Sequence, residues 1–168
     1  MINEEVRVRA ATAGDTAILA AAALEAMNWD GSRRFTQEEL TTNPNISRYL
    51  DGWPQIGDFG VVAETADGIP VGGAWCRSLT ADNAGYGFVA EDIPELTIGV
   101  LPEFRGKGAG TALMTSLIAA GRSRGLPAMS LSVEDGNRAR ALYERMGFAK
   151  VGRNGGSDTL LLKLENLS

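Results

Sequence analysis

Residues 100–113 read Val100-Leu101-Pro102-Glu103-Phe104-Arg105-Gly106-Lys107-Gly108-Ala109-Gly110-Thr111-Ala112-Leu113, and they join a predicted strand to a predicted amphipathic helix. The glycines at positions 106, 108 and 110 let the backbone turn its N–H groups toward a ligand without interference from a Cβ atom. The N-terminus of the following helix adds unpaired donors and the positive end of its dipole. With basic side chains at 105 and 107, the segment predicts a cradle for phosphate groups.

The spacing of these glycines excludes two common nucleotide-binding motifs. A P-loop requires Ser or Thr after Gly-Lys, whereas Gly108 follows Lys107. A dinucleotide-binding fingerprint that began at Gly106 and Gly108 would need its third glycine at position 111, which is Thr111. The pattern that remains is R-x-x-G-x-G over residues 105–110.

A second motif follows one predicted helix and one predicted strand later, where residues 131–148 read L-S-V-E-D-G-N-R-A-R-A-L-Y-E-R-M-G-F. Asn137 opens a helix that contains Tyr143 and ends at Gly147. In this order and at this separation, the two motifs resemble the acyl-CoA-binding motifs of the GNAT (GCN5-related N-acetyltransferase) superfamily. The resemblance covers about residues 95–148.

The composition is typical of one globular domain. The chain has 168 residues, of which 44% are hydrophobic and 22% are charged, so a core can form without metal or disulfide staples. We therefore predict a single domain over residues 1–168. Residues 1–5 are acidic and polar, no apolar run is long enough to span a membrane, and the one cysteine, Cys76, excludes an internal disulfide. These features predict a cytoplasmic protein without a membrane partner.

Charge and the absence of histidine restrict the possible chemistry. A formal net charge of −5 argues against nucleic-acid binding, which requires a dominant basic surface. The sequence contains no histidine, so the usual base of Ser-His enzymes and the commonest ligand of catalytic zinc are both missing. We expect no metal site. Glu91, Asp92 and Glu95 precede the basic cradle, and they predict an acidic approach for a cationic acceptor.

The hydrophobic pattern predicts a chain of alternating strands and helices. Strands are predicted at residues 6–9, 59–64, 71–78, 95–101, 129–133, 149–153 and 159–163. Helices are predicted to end at Met27, to begin near Thr36, to follow Gly108 and to occupy residues 138–146. This order predicts an α/β (α+β) sandwich. The resemblance implies a mixed, mostly antiparallel GNAT sheet of six or seven strands with helices on both faces.

The irregular segments at residues 28–58 and 79–94 follow no transferable pattern, and acceptor pockets are built from such segments. Four aromatic residues in the first segment are candidates for an acceptor pocket, although ordinary packing is the favoured explanation for each one, because aromatic side chains usually belong to cores. They are Trp29, Phe35, Tyr49 and Trp53.

The resemblance implies a set of contacts to acetyl-CoA. The backbone amides of residues 105–110 would bind the pyrophosphate, and two side chains of that turn would add positive charge. The fourth strand would diverge from the fifth and expose backbone groups to the pantetheine arm, with the Val100 amide as oxyanion donor. Asn137 and Arg140 would contact the cofactor, although capping and solvent exposure also explain them. The implied cofactor-binding residues are Ile98, Gly99, Val100, Arg105, Gly106, Lys107, Gly108, Ala109, Gly110, Thr111, Asn137 and Arg140.

The resemblance also implies catalytic roles. Tyr143 occupies the position of a tyrosine that protonates the departing thiolate. Glu95 resembles a glutamate that many members use as general base, and Glu91 or Asp92 acting through water are alternatives, as is an amine that binds already neutral. Other relatives place a glutamate in the fifth strand. This chain lacks a glutamate in its predicted fifth strand, because serines occupy the matching positions, 130 or 132.

The function that the resemblance implies is transfer of an acetyl group from acetyl-CoA to a primary amine of a small molecule or peptide by direct attack. A non-catalytic acyl-CoA-binding sensor or interaction module on the same fold is the alternative. Dimers are common among such proteins, so the resemblance allows a homodimer as well as a monomer.

Overall fold

The computed structural model describes residues 6–164, which form a seven-stranded sheet flanked by helices. The strands β1 to β7 span Val6–Ala10, Phe59–Thr65, Pro70–Arg77, Glu95–Val100, Ala128–Glu134, Ala149–Asn154 and Ser157–Lys163. The helices α1 to α5 span Thr16–Met27, Glu39–Thr42, Pro44–Ser47, Ala109–Ser123 and Ala139–Arg145. The acidic and polar residues 1–5 lie outside the described residues, as do residues 165–168. Among residues 6–164, no helix has the length and apolar character needed to cross a bilayer.

The strand order is β1-β2-β3-β4-β5-β7-β6. Every neighbouring pair is antiparallel except β4 and β5, which are parallel. A parallel pair needs a crossover connection, and α4 supplies it. The predicted mixed, mostly antiparallel sheet is confirmed.

The helices cover both faces of the sheet, as predicted. One face packs on α4 through a core that includes Leu96, Leu113 and Leu117. The other face packs on α1 and the short helices through a core that includes Trp75 and Leu19. Because successive side chains of a strand alternate between faces, β2 and β3 contribute to both cores, β2 through Val61 and Val62 and β3 through Ala74 and Trp75.

The helix predicted near Thr36 is only one turn long. Its capping box is present, since the Glu39 N–H donates to Thr36 Oγ1 at 3.3 Å and the Thr36 N–H donates to Glu39 Oε1 at 3.2 Å. The turn ends at Asn43, which is extended, because the residue before a proline disfavours the helical region. Pro44 then begins α3, a helix that the sequence pattern did not predict.

The parallel strands β4 and β5 meet at one position only, where Glu95 is opposite Ser130. The Ser130 N–H donates to Pro94 O at 3.0 Å, and the two strands pair nowhere beyond this point. The C-terminal half of β4 therefore has a hydrogen-bonding edge that faces an opening rather than another strand.

The alternation of the antiparallel ladder decides which backbone groups face this opening. The Leu101 N–H donates to Val71 O at 2.8 Å, so the odd-numbered residues of β4 bond to β3. The amides of Ile98 and Val100 consequently point toward β5 and the opening, while that of Gly99 points toward β3. This arrangement places two unpaired donors along the gap between the strands.

Gly99 has a separate packing role. A Cβ atom at this position would lie 1.9 Å from the carbonyl oxygen of Ala22 in α1, a distance that no side chain tolerates. Glycine therefore allows α1 to lie directly against β4, which fixes the distance between this helix and the opening.

Candidate active site

A cavity of about 1410 Å³ lies where β4 and β5 diverge. Both predicted catalytic residues, Glu95 and Tyr143, line it. Seven of the predicted cofactor-binding residues line it as well: Ile98, Gly99, Val100, Arg105, Gly106, Gly110 and Asn137. The two sequence motifs and the predicted base thus meet around one space.

Five predicted cofactor-binding residues are absent from the cavity wall in the described part of the chain: Lys107, Gly108, Ala109, Thr111 and Arg140. The first four belong to the cradle itself and border the wall. Arg140 is turned away, because its Nη1 donates to Asp158 Oδ2 at 2.6 Å. The structure does not bring Arg140 to the cavity.

The cradle leaves room for an anion close to its backbone. Gly106 and Gly108 adopt φ angles of 74° and 87°, which only glycine adopts without strain. A Cβ atom at either residue would meet no atom within 4 Å, so the space beside the backbone is open. The first helical bond of α4 runs from the Ala112 N–H to Gly108 O at 3.0 Å. The preceding amides, 109–111, therefore have no partner within the helix.

The basic side chains of the cradle are held at its margin. The Arg105 Nη2 donates to Glu25 Oε2 at 2.6 Å, and its Nε donates to Val100 O at 3.3 Å. This ion pair is half exposed, so it contributes little stability and can exchange for a phosphate contact. The Lys107 ammonium lies 5.5 Å from the ring centroid of Phe104.

Arg138 is a cavity residue that the sequence motif could have indicated. It is exposed, lines the cavity beside Asn137, and has no ion-pair partner among residues 6–164. Asn137 Oδ1 accepts from the Ala139 N–H at 3.0 Å, a capping contact at the start of α5, whose N-cap position is Arg138 rather than the predicted Asn137. The signal for Arg138 in the sequence was its position directly after Asn137, as a basic residue at the start of a helix.

Tyr143 is a buried phenol on the cavity wall. Its side chain packs edge-on against Phe148, with 6.2 Å between ring centroids. Burial raises its pKa to about 12, so the hydroxyl keeps its proton at any ordinary pH. Because a thiol has a pKa of about 8.5, this phenol is better suited to hydrogen-bond a departing thiolate than to transfer its proton completely.

Glu95 is 3% exposed, and its two carboxylate oxygens differ in their surroundings. Oε2 accepts from the Tyr49 hydroxyl at 2.7 Å and from the Gly87 N–H at 3.1 Å. Oε1 has no hydrogen-bond partner among the described residues. Burial raises the pKa of Glu95 to about 7, although the two donors oppose this increase. A carboxyl group that titrates near neutral pH suits a general base.

The acidic side chains that line the cavity differ from those predicted. Glu91 and Asp92 are exposed and lie outside the cavity wall, because the chain turns between them and the buried start of β4. Of the predicted group, Glu95 lines the wall, and further acidic side chains reach it from other segments: Glu25, Asp30 and Glu134. The last of these forms an ion pair with Arg34.

Three of the four candidate aromatic residues line the cavity: Trp29, Phe35 and Tyr49. Trp53 does not, because it packs in the core under α1 and its indole N–H donates to Thr12 O at 3.1 Å. Tyr86, which is 42% exposed, also lines the wall and was not predicted. The buried indole nitrogen of Trp29 has no partner among the described residues.

The fold, the cradle and the diverging strands define a class of acyltransferases. The family model described as the Acetyltransferase (GNAT) family matches residues 21–148. The chain belongs to this family.

Named relatives are similar to part of the chain. A mycothiol acetyltransferase from Propionibacterium freudenreichii subsp. shermanii is 36% identical over 116 residues, which are 68% of this chain and 35% of that protein. The chain thus spans about a third of the length of this relative. The [ribosomal protein bS18]-alanine N-acetyltransferase of Haemophilus influenzae is 35% identical over 63 residues, 38% of this chain and 43% of that protein.

The solved structure of yncA from Salmonella typhimurium, with its cofactor acetyl-CoA, has the same fold. Its TM-score is 0.69 at 20% sequence identity, and the superposition covers 98% of this chain and 96% of that one.

The raised pKa of Glu95 predicts a pH-dependent stability. Between 4.5 and about 7, the folded protein retains a proton that the unfolded chain has lost, so the free energy of unfolding should fall as pH rises. The expected loss is about 3 kcal/mol. Urea unfolding from pH 4.5 to 7.5 should show the Glu95→Gln variant gaining stability relative to wild type by about this amount. The exposed-site control Glu91→Gln should show no such gain, and parallel curves for all three proteins would contradict the burial effect.

Proposed function

We propose that this protein is an N-acetyltransferase that moves an acetyl group from acetyl-CoA to a primary amine of a small molecule or peptide. The observation that carries the proposal is the convergence on one cavity of the glycine cradle, the free edge of β4 and the buried side chains of Glu95 and Tyr143. Membership of the acetyltransferase family supports the reaction type.

The cradle fits the pyrophosphate of a CoA thioester. Its open backbone at Gly106 and Gly108, the partnerless amides of residues 109–111 and the positive end of α4 all favour an anion. Arg105 would add charge by exchanging its pairing with Glu25. The amide of Ile98 would pair with the pantetheine arm, in the manner of an added strand.

Acetyl-CoA supplies the acyl group as a thioester, whose C–S bond breaks as the N–C bond forms. Three groups of this chain serve that exchange. Glu95 accepts the proton that the amine loses, the Val100 N–H stabilises the negative charge that develops on the acyl oxygen, and Tyr143 donates a hydrogen bond to the departing sulfur. The burial of Glu95 favours catalysis over a non-catalytic sensor, because a buried carboxyl costs stability that mere cofactor binding does not require.

The cavity wall supports a cationic amine as the acceptor. Asp30 contributes negative charge there, whereas Glu134 is paired with Arg34. The aromatic side chains of Trp29, Phe35 and Tyr86 offer faces that attract an ammonium group. The names of the two relatives refer to molecules of different kinds, mycothiol in one case and an alanine of ribosomal protein bS18 in the other. Both a small molecule and a peptide N-terminus remain within the proposal.

The expected setting of the reaction is the cytoplasm. The single cysteine, Cys76, is buried, which suits a reducing compartment. The net charge of −5 supports a function without nucleic acid.

Filling the cradle should weaken CoA binding. Gly106→Ala places a methyl group in the open space and should reduce CoA affinity in calorimetry by about tenfold or more. Because residue 106 has a positive φ angle, the alanine also costs about 1 kcal/mol of stability. Gly125→Ala is the matched control, because Gly125 has a φ of 71° and equally open surroundings at the far end of α4. It should lose the same stability with unchanged CoA affinity. Equal affinities for both variants would contradict the cradle.

Turnover should depend on the ionised form of Glu95. In a thiol-release assay with a panel of amines and peptides, kcat/KM should rise with pH to a plateau, with a midpoint near the pKa of about 7. Glu95→Gln should reduce the plateau by about 100-fold or more while CoA binding is retained. Glu91→Gln and Asp92→Asn, exposed and outside the cavity, should resemble wild type. Tight CoA binding without turnover on any acceptor would instead support the sensor.

Tyr143→Phe tests the leaving-group contact. The variant keeps the ring packing against Phe148 and loses only the hydroxyl, so kcat should fall by about tenfold or more while acetyl-CoA affinity changes little. Stopped-flow acetyl transfer and calorimetry measure the two quantities separately. A variant with the wild-type rate would exclude the role of the hydroxyl.

A further inference from the structure

Tyr49 connects the proposed base to two other segments of the chain. It follows α3 and is 5% exposed. Its hydroxyl donates to Glu95 Oε2 at 2.7 Å and accepts from the Tyr86 N–H at 2.8 Å. Its own carbonyl oxygen accepts from the indole N–H of the buried Trp75 at 2.8 Å. The phenol is thus fixed at both its backbone and its hydroxyl.

The loop at residues 85–87 reaches the carboxylate only because it contains two glycines. A Cβ atom at Gly85 would lie 2.2 Å from Glu95 Oε1 and 2.6 Å from the Tyr49 hydroxyl, and one at Gly87 would lie 2.6 Å from the carbonyl carbon of Leu131. The loop therefore supplies a second donor to Oε2, through the Gly87 N–H, while Gly85 packs against Oε1 without donating a hydrogen bond to it.

The protonation state of Tyr49 makes it a permanent donor. Burial and the neighbouring carboxylate raise the pKa of Tyr49 well above its ordinary value, so the phenol holds its proton at any working pH. A hydrogen bond to the ionised carboxylate stabilises that form. The Tyr49 hydroxyl is accordingly the largest of the effects that oppose the increase in the pKa of Glu95 by burial.

The other charged and polar groups near Glu95 either pair with another residue or affect its pKa less than Tyr49 does. Arg48, which precedes Tyr49, lowers the pKa of Glu95 to a smaller extent. Arg77, opposite Glu95 in β3, is paired with Asp58 at 2.9 Å. On β5, the facing residue is Ser130, whose buried hydroxyl has no partner among the described residues. Tyr49 is therefore the side chain that holds the carboxylate.

We propose that Tyr49 is a positioning residue for Glu95: its hydroxyl, itself oriented by the Tyr86 N–H, holds Oε2 and favours the ionised carboxylate, so that Oε1, which has no hydrogen-bond partner among the described residues, is the oxygen that accepts the proton of the acceptor amine. This inference rests on the proposed role of Glu95 as general base. It assigns a function to a residue that contacts neither the motif of the cradle nor that of α5.

The test is Tyr49→Phe, which removes the hydroxyl and retains the ring. The midpoint of the pH–rate profile should move upward by about one pH unit or more, with activity at pH 7 reduced about tenfold and largely restored at the high-pH plateau. Tyr143→Phe is the matched comparison, because it should lower the plateau without moving the midpoint. A Tyr49→Phe profile that drops uniformly, with its midpoint in place, would overturn the inference and indicate a structural role only.

A second readout separates this inference from the proposed function. Carbon-13 NMR follows the titration of the Glu95 carboxyl, assigned by its absence in Glu95→Gln, and needs no turnover. The midpoint should move upward in Tyr49→Phe even if no amine is acetylated, whereas an unmoved midpoint overturns the role of Tyr49. In the wild-type protein, the buried Tyr49 hydroxyl proton should change its chemical shift at the same midpoint as Glu95, and independent titrations would overturn the inference without any variant.

Discussion

The single contact between β4 and β5, at Glu95 and Ser130, is the constraint on which the site depends. A parallel pair that continued along both strands would satisfy the backbone of Ile98 and Val100 and would leave no opening. Because the pairing stops after one position, the free amides, the cradle and the second motif border the same gap. The cavity is therefore a consequence of interrupted pairing in an otherwise continuous sheet.

The same contact places a carboxyl group where the strands separate. Glu95 is buried between the two layers of the fold, so its ionisation depends on a small number of donors rather than on water. The Tyr49 hydroxyl comes from the segment after α3, and the Gly87 amide from the loop before β4. Two irregular segments thus combine with one regular strand to define the charge state of a single side chain.

The features that the sequence predicts well are local ones. The positive φ angles at Gly106 and Gly108, the capping by Asn137 and the position of Tyr143 follow from residues within a few positions of each other. The mixed, mostly antiparallel sheet was accessible through the family resemblance, whereas the order of its strands was not predicted. The short helix predicted near Thr36 ends before the proline at position 44, which is again a local signal.

The features that could not be predicted join distant parts of the chain. Tyr49 and Glu95 are 46 positions apart, and Arg105 and Glu25 are 80 apart. Such pairs depend on how the helices pack on the sheet, and no local sequence pattern predicts that packing. The predicted cluster of acidic residues differs for the same reason, since Glu91 is exposed outside the cavity wall while Glu95, four residues later, is buried in that wall. Proximity along the chain did not translate into proximity in space.

The missing side chain at Gly99 has a consequence for how the specificity of this protein can change. The close contact with Ala22 holds α1 against the strand proposed to face the donor, and α1 is followed by Trp29 in the cavity wall. A substitution that shifted this helix would therefore disturb both proposed substrate sites at once. Substitutions at a loop residue of the wall such as Asp30 leave this contact in place, so they would change the proposed acceptor site with less disturbance of the scaffold.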